Sequence, residues 1–218
     1  MLKAEGIRKS YGSLQVLKGV NLHVGKGEVV VIVGASGAGK STLLHILGTL
    51  DSPESGTVHI RDQNAFTQSA NALAQFRNKH IGFIFQFHNL LPEFSAIENV
   101  MIPGLIAGQD ERVVRKNAGE LMAKLGIEER RDHKPSEMSG GEQQRAAVAR
   151  ALINSPDIVF ADEPSGNLDS ANAAELHKLF FKLRQDLGYT FVIVTHNLEF
   201  ANMADRKIEI KDGIINSQ

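Results

Sequence analysis

The apolar run Val29-Val30-Val31-Ile32-Val33 ends abruptly in Gly34-Ala35-Ser36-Gly37-Ala38-Gly39-Lys40-Ser41-Thr42, and this junction constrains the fold more than any other part of the chain. An uninterrupted apolar run of that length reads as a strand buried on both faces, which calls for a parallel sheet covered by helices. The stretch after it fits the phosphate-binding pattern G-x-x-x-x-G-K-[S/T], whose context is strand, loop and helix N-terminus. Successive backbone N–H groups can point at an anion only where side chains leave room, and Gly34, Gly37 and Gly39 remove the obstruction. A helix beginning near Gly39 and running through Leu47 adds the partial positive charge of its N-terminus. Lys40 supplies a full charge for the β- and γ-phosphates, and the Ser41 hydroxyl is placed to ligate Mg²⁺. The expected ligand is a nucleoside triphosphate.

The 218 residues, 42% of them hydrophobic, can bury a substantial core and are expected to form one domain with an inserted subdomain. A formal net charge of −1 provides no global attraction to nucleic acid or to an anionic membrane surface. Without cysteine there is neither a disulfide framework nor a thiolate metal site, which fits a cytoplasmic protein. The start of the chain has no apolar signal core, and no stretch approaches the roughly 20 apolar residues that cross a bilayer. Membrane contact is therefore expected only through a partner.

Strands are predicted at Leu2–Arg8 and Leu17–Val24 as an N-terminal antiparallel layer, with others at Val29–Val33, Thr57–Ile60, Ile81–Phe85, Ile158–Ala161 and Phe191–Thr195. Between Glu98 and Asn154 the pattern turns helical, as it does over Ala173–Gln185. The chain closes in a hairpin turning at Asp212-Gly213. The strand Ile158–Ala161 runs into Asp162-Glu163. Behind a buried strand, in a chain with a phosphate loop, that pair suits a metal-shell aspartate and a carboxylate able to take a proton from an attacking water. Ser139 and Glu142 have capping-box spacing and predict a helix running to about Ile153.

Ser139-Gly140-Gly141-Glu142-Gln143-Gln144-Arg145 resembles the signature motif of ABC ATPases, and with it the chain resembles that family from end to end. The resemblance implies an α/β P-loop fold with a RecA-like core at 1–86 and 156–218 and a helical subdomain at 87–155. It implies ATP and Mg²⁺ as cofactors, with Ser41, Gln86 and Asp162 around the metal. By the same resemblance Tyr11 stacks on adenine, Glu163 is the base, His196 contacts the γ-phosphate, and Ser165-Gly166-Asn167-Leu168-Asp169 crosses between subunits. The signature residues Ser139, Gly140, Gly141 and Glu142 then close on the γ-phosphate held by another copy, so the ATP-bound state is a head-to-tail homodimer working with integral membrane permease subunits. Met138, Ser165 and Asn197 depart from the residues usual in the family without removing a catalytic group.

The segments 86–103 and 161–169 look most like a subfamily of lipoprotein-releasing, exporter and cell-division ATPases. They lean toward the first, which implies a peripheral position on the cytoplasmic face of the inner membrane. An exporter ATPase with a separate membrane subunit and a cell-division regulator remain open alternatives.

Overall fold

The computed structural model describes residues 1–217. The first part of the chain forms β1 (Leu2–Tyr11), β2 (Leu14–Val24), β3 (Val29–Val33), α1 (Lys40–Leu47), β4 (Ser55–Ile60), β5 (Gln63–Asn64), α2 (Ala70–His80) and β6 (Ile81–Phe85). The middle holds α3 (Ala96–Ile106), α4 (Glu111–Lys124) and α5 (Gly140–Leu152). The last part forms β7 (Ile158–Asp162), α6 (Ser170–Leu187), β8 (Phe191–Val194), α7 (Leu198–Met203), β9 (Arg206–Lys211) and β10 (Ile214–Ser217).

Two sheets result. The larger has the order β10-β9-β3-β8-β7-β6, parallel throughout except for the β10 edge. The smaller is an antiparallel layer of order β2-β1-β4-β5. All five residues of β3 are buried, as the apolar run requires. Side chains alternate across a strand, so Val29, Val31 and Val33 face one core while Val30 and Ile32 face another.

The second of these cores fixes α1. Leu43, Leu44, Ile46 and Leu47 are fully buried between the two sheets, against Val30 and Ile32 on one side and Ile7, Val20 and Leu22 on the other. Removing one such side chain, as in Leu44→Ala, costs about 2–5 kcal/mol. The helix behind the phosphate loop is thereby held on two sides.

The core containing Val29 and Val31 continues without a break into α3, α4 and α5, through Val100, Val114, Met122 and Val148. Pro103 inside α3 removes one helical N–H. Its own carbonyl accepts from Asn78 Nδ2 and Asn154 Nδ2, both at 3.1 Å, which ties the helix to the ends of α2 and α5. Asn99, fully buried, donates to the carbonyls of Leu91, Phe94 and Ser95 and accepts from the Leu91 N–H, so it organises the loop leading into α3.

Sequence periodicity assigns no element between Ile60 and Ile81, where the structure forms β5 and α2. Only Phe76 of α2 is buried, so the helix carries no apolar stripe to read. The strands β1 and β2 also run beyond their predicted ends, because Tyr11 pairs with Leu14 across a two-residue turn.

Candidate functional site

The parallel strands deliver the site. In such sheets ligands bind outside the carboxyl ends of the strands. Here β3 ends at the Gly34 loop, β6 at Gln86, β7 at Asp162-Glu163, and β8 is followed by Thr195-His196. Because β8, β7 and β6 follow β3 across the sheet, these ends converge on one cleft of about 660 Å³. Its walls include Tyr11, Gly34, Ser36, Gly37, Gly39, Lys40, Ser41, Thr42, Gln86, Glu163 and His196.

The phosphate loop is shaped by close approaches. Gly34 has φ 153°, and a Cβ there would collide with the Ile210 carbonyl of β9. Gly39 has φ 99°, with Leu17 Cδ2 only 2.9 Å from where a Cβ would stand. Both positions exclude L side chains. Gly39 is also the N-cap of α1, with no side-chain cap and no acidic residue in the first turn. The first N–H groups of that helix are left for an anion, the usual design of a phosphate site. Lys40 Nζ donates to the carbonyls of Gly34 and Ala35 at 2.9 Å each, which keeps the ammonium folded over the loop. Ala38 is packed beneath the loop.

Beside it, Ser41 Oγ donates to Asp162 Oδ1 at 3.1 Å. Burial pushes the Asp162 carboxyl above its usual value, and the Ser41 hydrogen bond and nearby His45 and Lys40 only partly offset this. A half-buried carboxylate with a hydroxyl beside it is a pair of hard oxygen donors, the chemistry that suits Mg²⁺. Glu163 follows with φ 46°, a left-handed conformation that is uncommon for a residue with a side chain. Its N–H donates to the Val194 carbonyl at 2.9 Å, and its Oε2 lies 2.9 Å from His196 Nδ1 and accepts from the His196 N–H at 3.2 Å. Strain of this kind costs about 1–3 kcal/mol and concentrates at functional sites. The strained Glu163 and the His196 it contacts both line the cleft.

Gln86 is held by a reciprocal pair: its Nε2 donates to Asn167 Oδ1 at 2.9 Å, and Asn167 Nδ2 donates back to the Gln86 carbonyl at 3.2 Å. That pairing couples the end of β6 to the loop 165–169, a link that sequence spacing does not reveal. Leu14 and Val16, which also line the cleft, were equally invisible in sequence. They face it only because the β1–β2 register sets Leu14 opposite Tyr11.

The signature residues lie elsewhere. Ser139 through Glu142 open α5 and do not line the cleft. The capping box forms as its spacing implies, with Ser139 Oγ accepting from the Glu142 N–H and Glu142 Oε2 accepting from the Ser139 N–H. Arg130 Nε donates to Glu142 Oε1 at 2.8 Å, and this bond, with the Ser139 N–H, holds the Glu142 carboxyl below its usual range. Gly141 is pressed against the start of α6, where a Cβ would stand 2.6 Å from Asn172 Oδ1.

A phosphate loop on a buried parallel strand, an Asp-Glu pair two strands away and a separate glycine-rich helix start define an ATP-binding cassette. Sequence comparison agrees: the model of the ABC transporter family matches residues 17–166, and the chain belongs to that family as its ATP-hydrolysing subunit. It is 58% identical over 215 residues to the lipoprotein-releasing system ATP-binding protein LolD of Cytophaga hutchinsonii, covering 99% of this chain and 98% of that protein. The LolD proteins of Bacteroides fragilis, at 58% over 99% of this chain and 100% of the relative, and of Porphyromonas gingivalis, at 54% over the full length of both, are similar in the same way. Among solved structures, the dimeric ATP-binding cassette MJ0796 bound to ADP and Pi superposes with a TM-score of 0.91 at 39% identity, covering 100% of this chain and 97% of that one. No helix among the described residues is long and apolar enough to cross a membrane.

Proposed function

We propose that this chain powers the release of lipoproteins from the inner membrane, as the cytoplasmic ATPase of a complex with integral membrane permease subunits. The observation that carries this reading is similarity over essentially the whole chain, at 54–58% identity, to proteins named for lipoprotein release.

Within the site, Lys40 and the N–H groups of the phosphate loop bind the triphosphate, and Tyr11 stacks on adenine. Ser41, Asp162 and Gln86 would hold Mg²⁺, which supplies neutralising charge at the phosphate oxygens. Glu163 takes the proton of the attacking water, a role worth about 10²–10⁴ in rate. His196, hydrogen-bonded to Glu163, turns to the γ-phosphate. The donors that complete the γ-phosphate shell are Ser139, Gly140, Gly141 and Glu142 of a second copy. Support for this last assignment is geometric, since the signature stands outside the cleft of its own chain. Closure on ATP and opening after hydrolysis then provide the two states that a motor needs.

The segment between Gln86 and α4 is the proposed seat of the membrane partner. Phe87 and Ile106 are 73% and 71% exposed, and a cleft of about 500 Å³ lies between Phe83, Pro103, Ile106 and Arg150. An apolar groove of this kind takes an amphipathic helix. We take 1–86 with 156–218 as the catalytic core and 87–155 as the helical subdomain inserted in it, supported by the packing of α3, α4 and α5 on one another.

Purification of the tagged protein from its native membrane in mild detergent tests the assignment. Two related membrane proteins with large extracytoplasmic domains are expected, together with ATP-dependent lipoprotein release from reconstituted vesicles. A single division-type membrane partner, or a complex that hydrolyses ATP without releasing lipoprotein, would overturn it.

A further inference from the structure

We propose that Asp51 and Lys9 are positioning residues that hold the Tyr11 ring ready for the base of the nucleotide and tie it to the far end of the phosphate-binding helix. This rests on the reading of Tyr11 as the stacking residue and adds the groups that orient it.

Tyr11 stands at the tip of the β1–β2 hairpin and is 52% exposed, a place where an unrestrained ring samples several rotamers. It is not unrestrained. Its hydroxyl donates to Asp51 Oδ2 at 2.7 Å. The other carboxylate oxygen, Asp51 Oδ1, accepts from Lys9 Nζ at 2.6 Å and from the Ser52 N–H at 2.7 Å. Lys9 Nζ also donates to the Ser52 carbonyl at 2.7 Å, so the lysine, the carboxylate and the phenol form one network. The bond to Asp51, with some burial, pushes the phenol above its usual value and keeps it a donor.

Lys9 sets which face of the ring is available. Its ammonium lies 5.2 Å from the ring centroid, within cation–π range. Tyr11 lines the nucleotide cleft and Lys9 does not. One face of the ring is thus occupied by a cation, which leaves the other for a stacking base. Asp51 in turn hangs from the end of α1, where the N–H groups of Leu50 and Asp51 both donate to the His45 carbonyl. An eight-residue helix is about 12 Å long. Its start addresses phosphates, and its end, through Asp51, fixes the ring for the base.

Holding a side chain in its bound rotamer before the ligand arrives removes an ordering cost that corresponds to roughly threefold to tenfold in affinity. The test measures dissociation constants for ADP and for inorganic pyrophosphate, neither of which is consumed. Asp51→Ala and Tyr11→Phe are each expected to weaken ADP by roughly threefold to tenfold, to leave pyrophosphate affinity unchanged, and to be no worse when combined than singly. Asp51→Asn keeps an acceptor for the phenol and is expected to recover most of the loss. Equal weakening of ADP and pyrophosphate by Asp51→Ala, or additive losses in the double variant, would overturn the tether. Tyr11→Ala separates the two levels. If it leaves ADP affinity unchanged, the stacking role itself is wrong; if it weakens ADP while Tyr11→Phe and Asp51→Ala do not, stacking stands and the tether fails. Should Asp51→Ala not fold, Tyr11→Phe and Asp51→Asn carry the same comparison.

Discussion

Two glycine-rich helix starts in this molecule are built in opposite ways. α1 begins at a left-handed Gly39 with no side-chain cap and no acidic residue in its first turn. α5 begins at Ser139 with a complete capping box and Glu142 in its first turn. A glycine in place of a capping side chain costs roughly a few tenths of a kcal/mol of helix stability, and at α1 the helix is held by four buried side chains between two sheets. The uncapped start leaves its N–H groups to a ligand and lines the cleft. The capped start satisfies part of itself and stands outside it. One region is open to phosphate within a single chain, and the other, on the function proposed above, meets a nucleotide only on a second copy.

The contrast can be broken at several points. The largest effect is expected from Glu163→Gln, which preserves the shape of the site and removes the proton acceptor. Steady-state phosphate release should fall by about 10²–10⁴ while ATP is still bound and a closed dimer accumulates on size exclusion; near-normal phosphate release would remove Glu163 from the chemistry. Lys40→Ala comes next, lowering ATP affinity of the single chain by roughly ten- to a hundredfold through loss of a charged hydrogen-bonding partner. Unchanged affinity in a titration would contradict the phosphate role of the lysine.

Ser139→Ala should behave differently from both. It is expected to cost about 1 kcal/mol of stability and to weaken ATP-driven dimerisation, yet leave ADP affinity of the single chain as it was. Loss of ADP binding by the monomer would mean that the signature serves its own cleft after all. The smallest effect concerns pH. The Glu142 carboxyl is held low by Arg130 and the Ser139 N–H, so its stabilising contribution is fully present above the ordinary carboxylate value of about 4.3 and is lost as pH falls through its lowered folded value. Partial exposure keeps that contribution within about 1 kcal/mol. Chemical denaturation should therefore show Glu142→Gln to be slightly less stable at pH 7, with the difference shrinking as the pH is taken down below about 4.

The phosphate loop, the Asp162-Glu163 strand end and the Ser139–Glu142 capping box were all legible because each is local. Their spacing within a few residues states both the backbone path and the chemistry. The hairpin at Asp212-Gly213 was legible for the same reason, and both residues have positive φ. By contrast α2 escaped notice because it buries one side chain, and α7, a six-residue helix, is too short to show a period. The Asn167–Gln86 pair, the Tyr11–Asp51 bond and the Leu14 wall join residues that only sheet order or strand register brings together.

What the sequence determined by itself was the class of chemistry and most of the residues that line the cleft, since a buried strand followed by small residues, a lysine and a hydroxyl leaves few other uses. What only the tertiary structure decided was which of those residues share a cleft. The order β3-β8-β7-β6 gathers Lys40, His196, Glu163 and Gln86 at one edge of the sheet. The same packing sets the start of α5 against α6, away from that edge, because Gly141 sits where no side chain would fit beside Asn172. Distances along the chain carry no information about either outcome. Both follow from which buried faces must be covered, and by what.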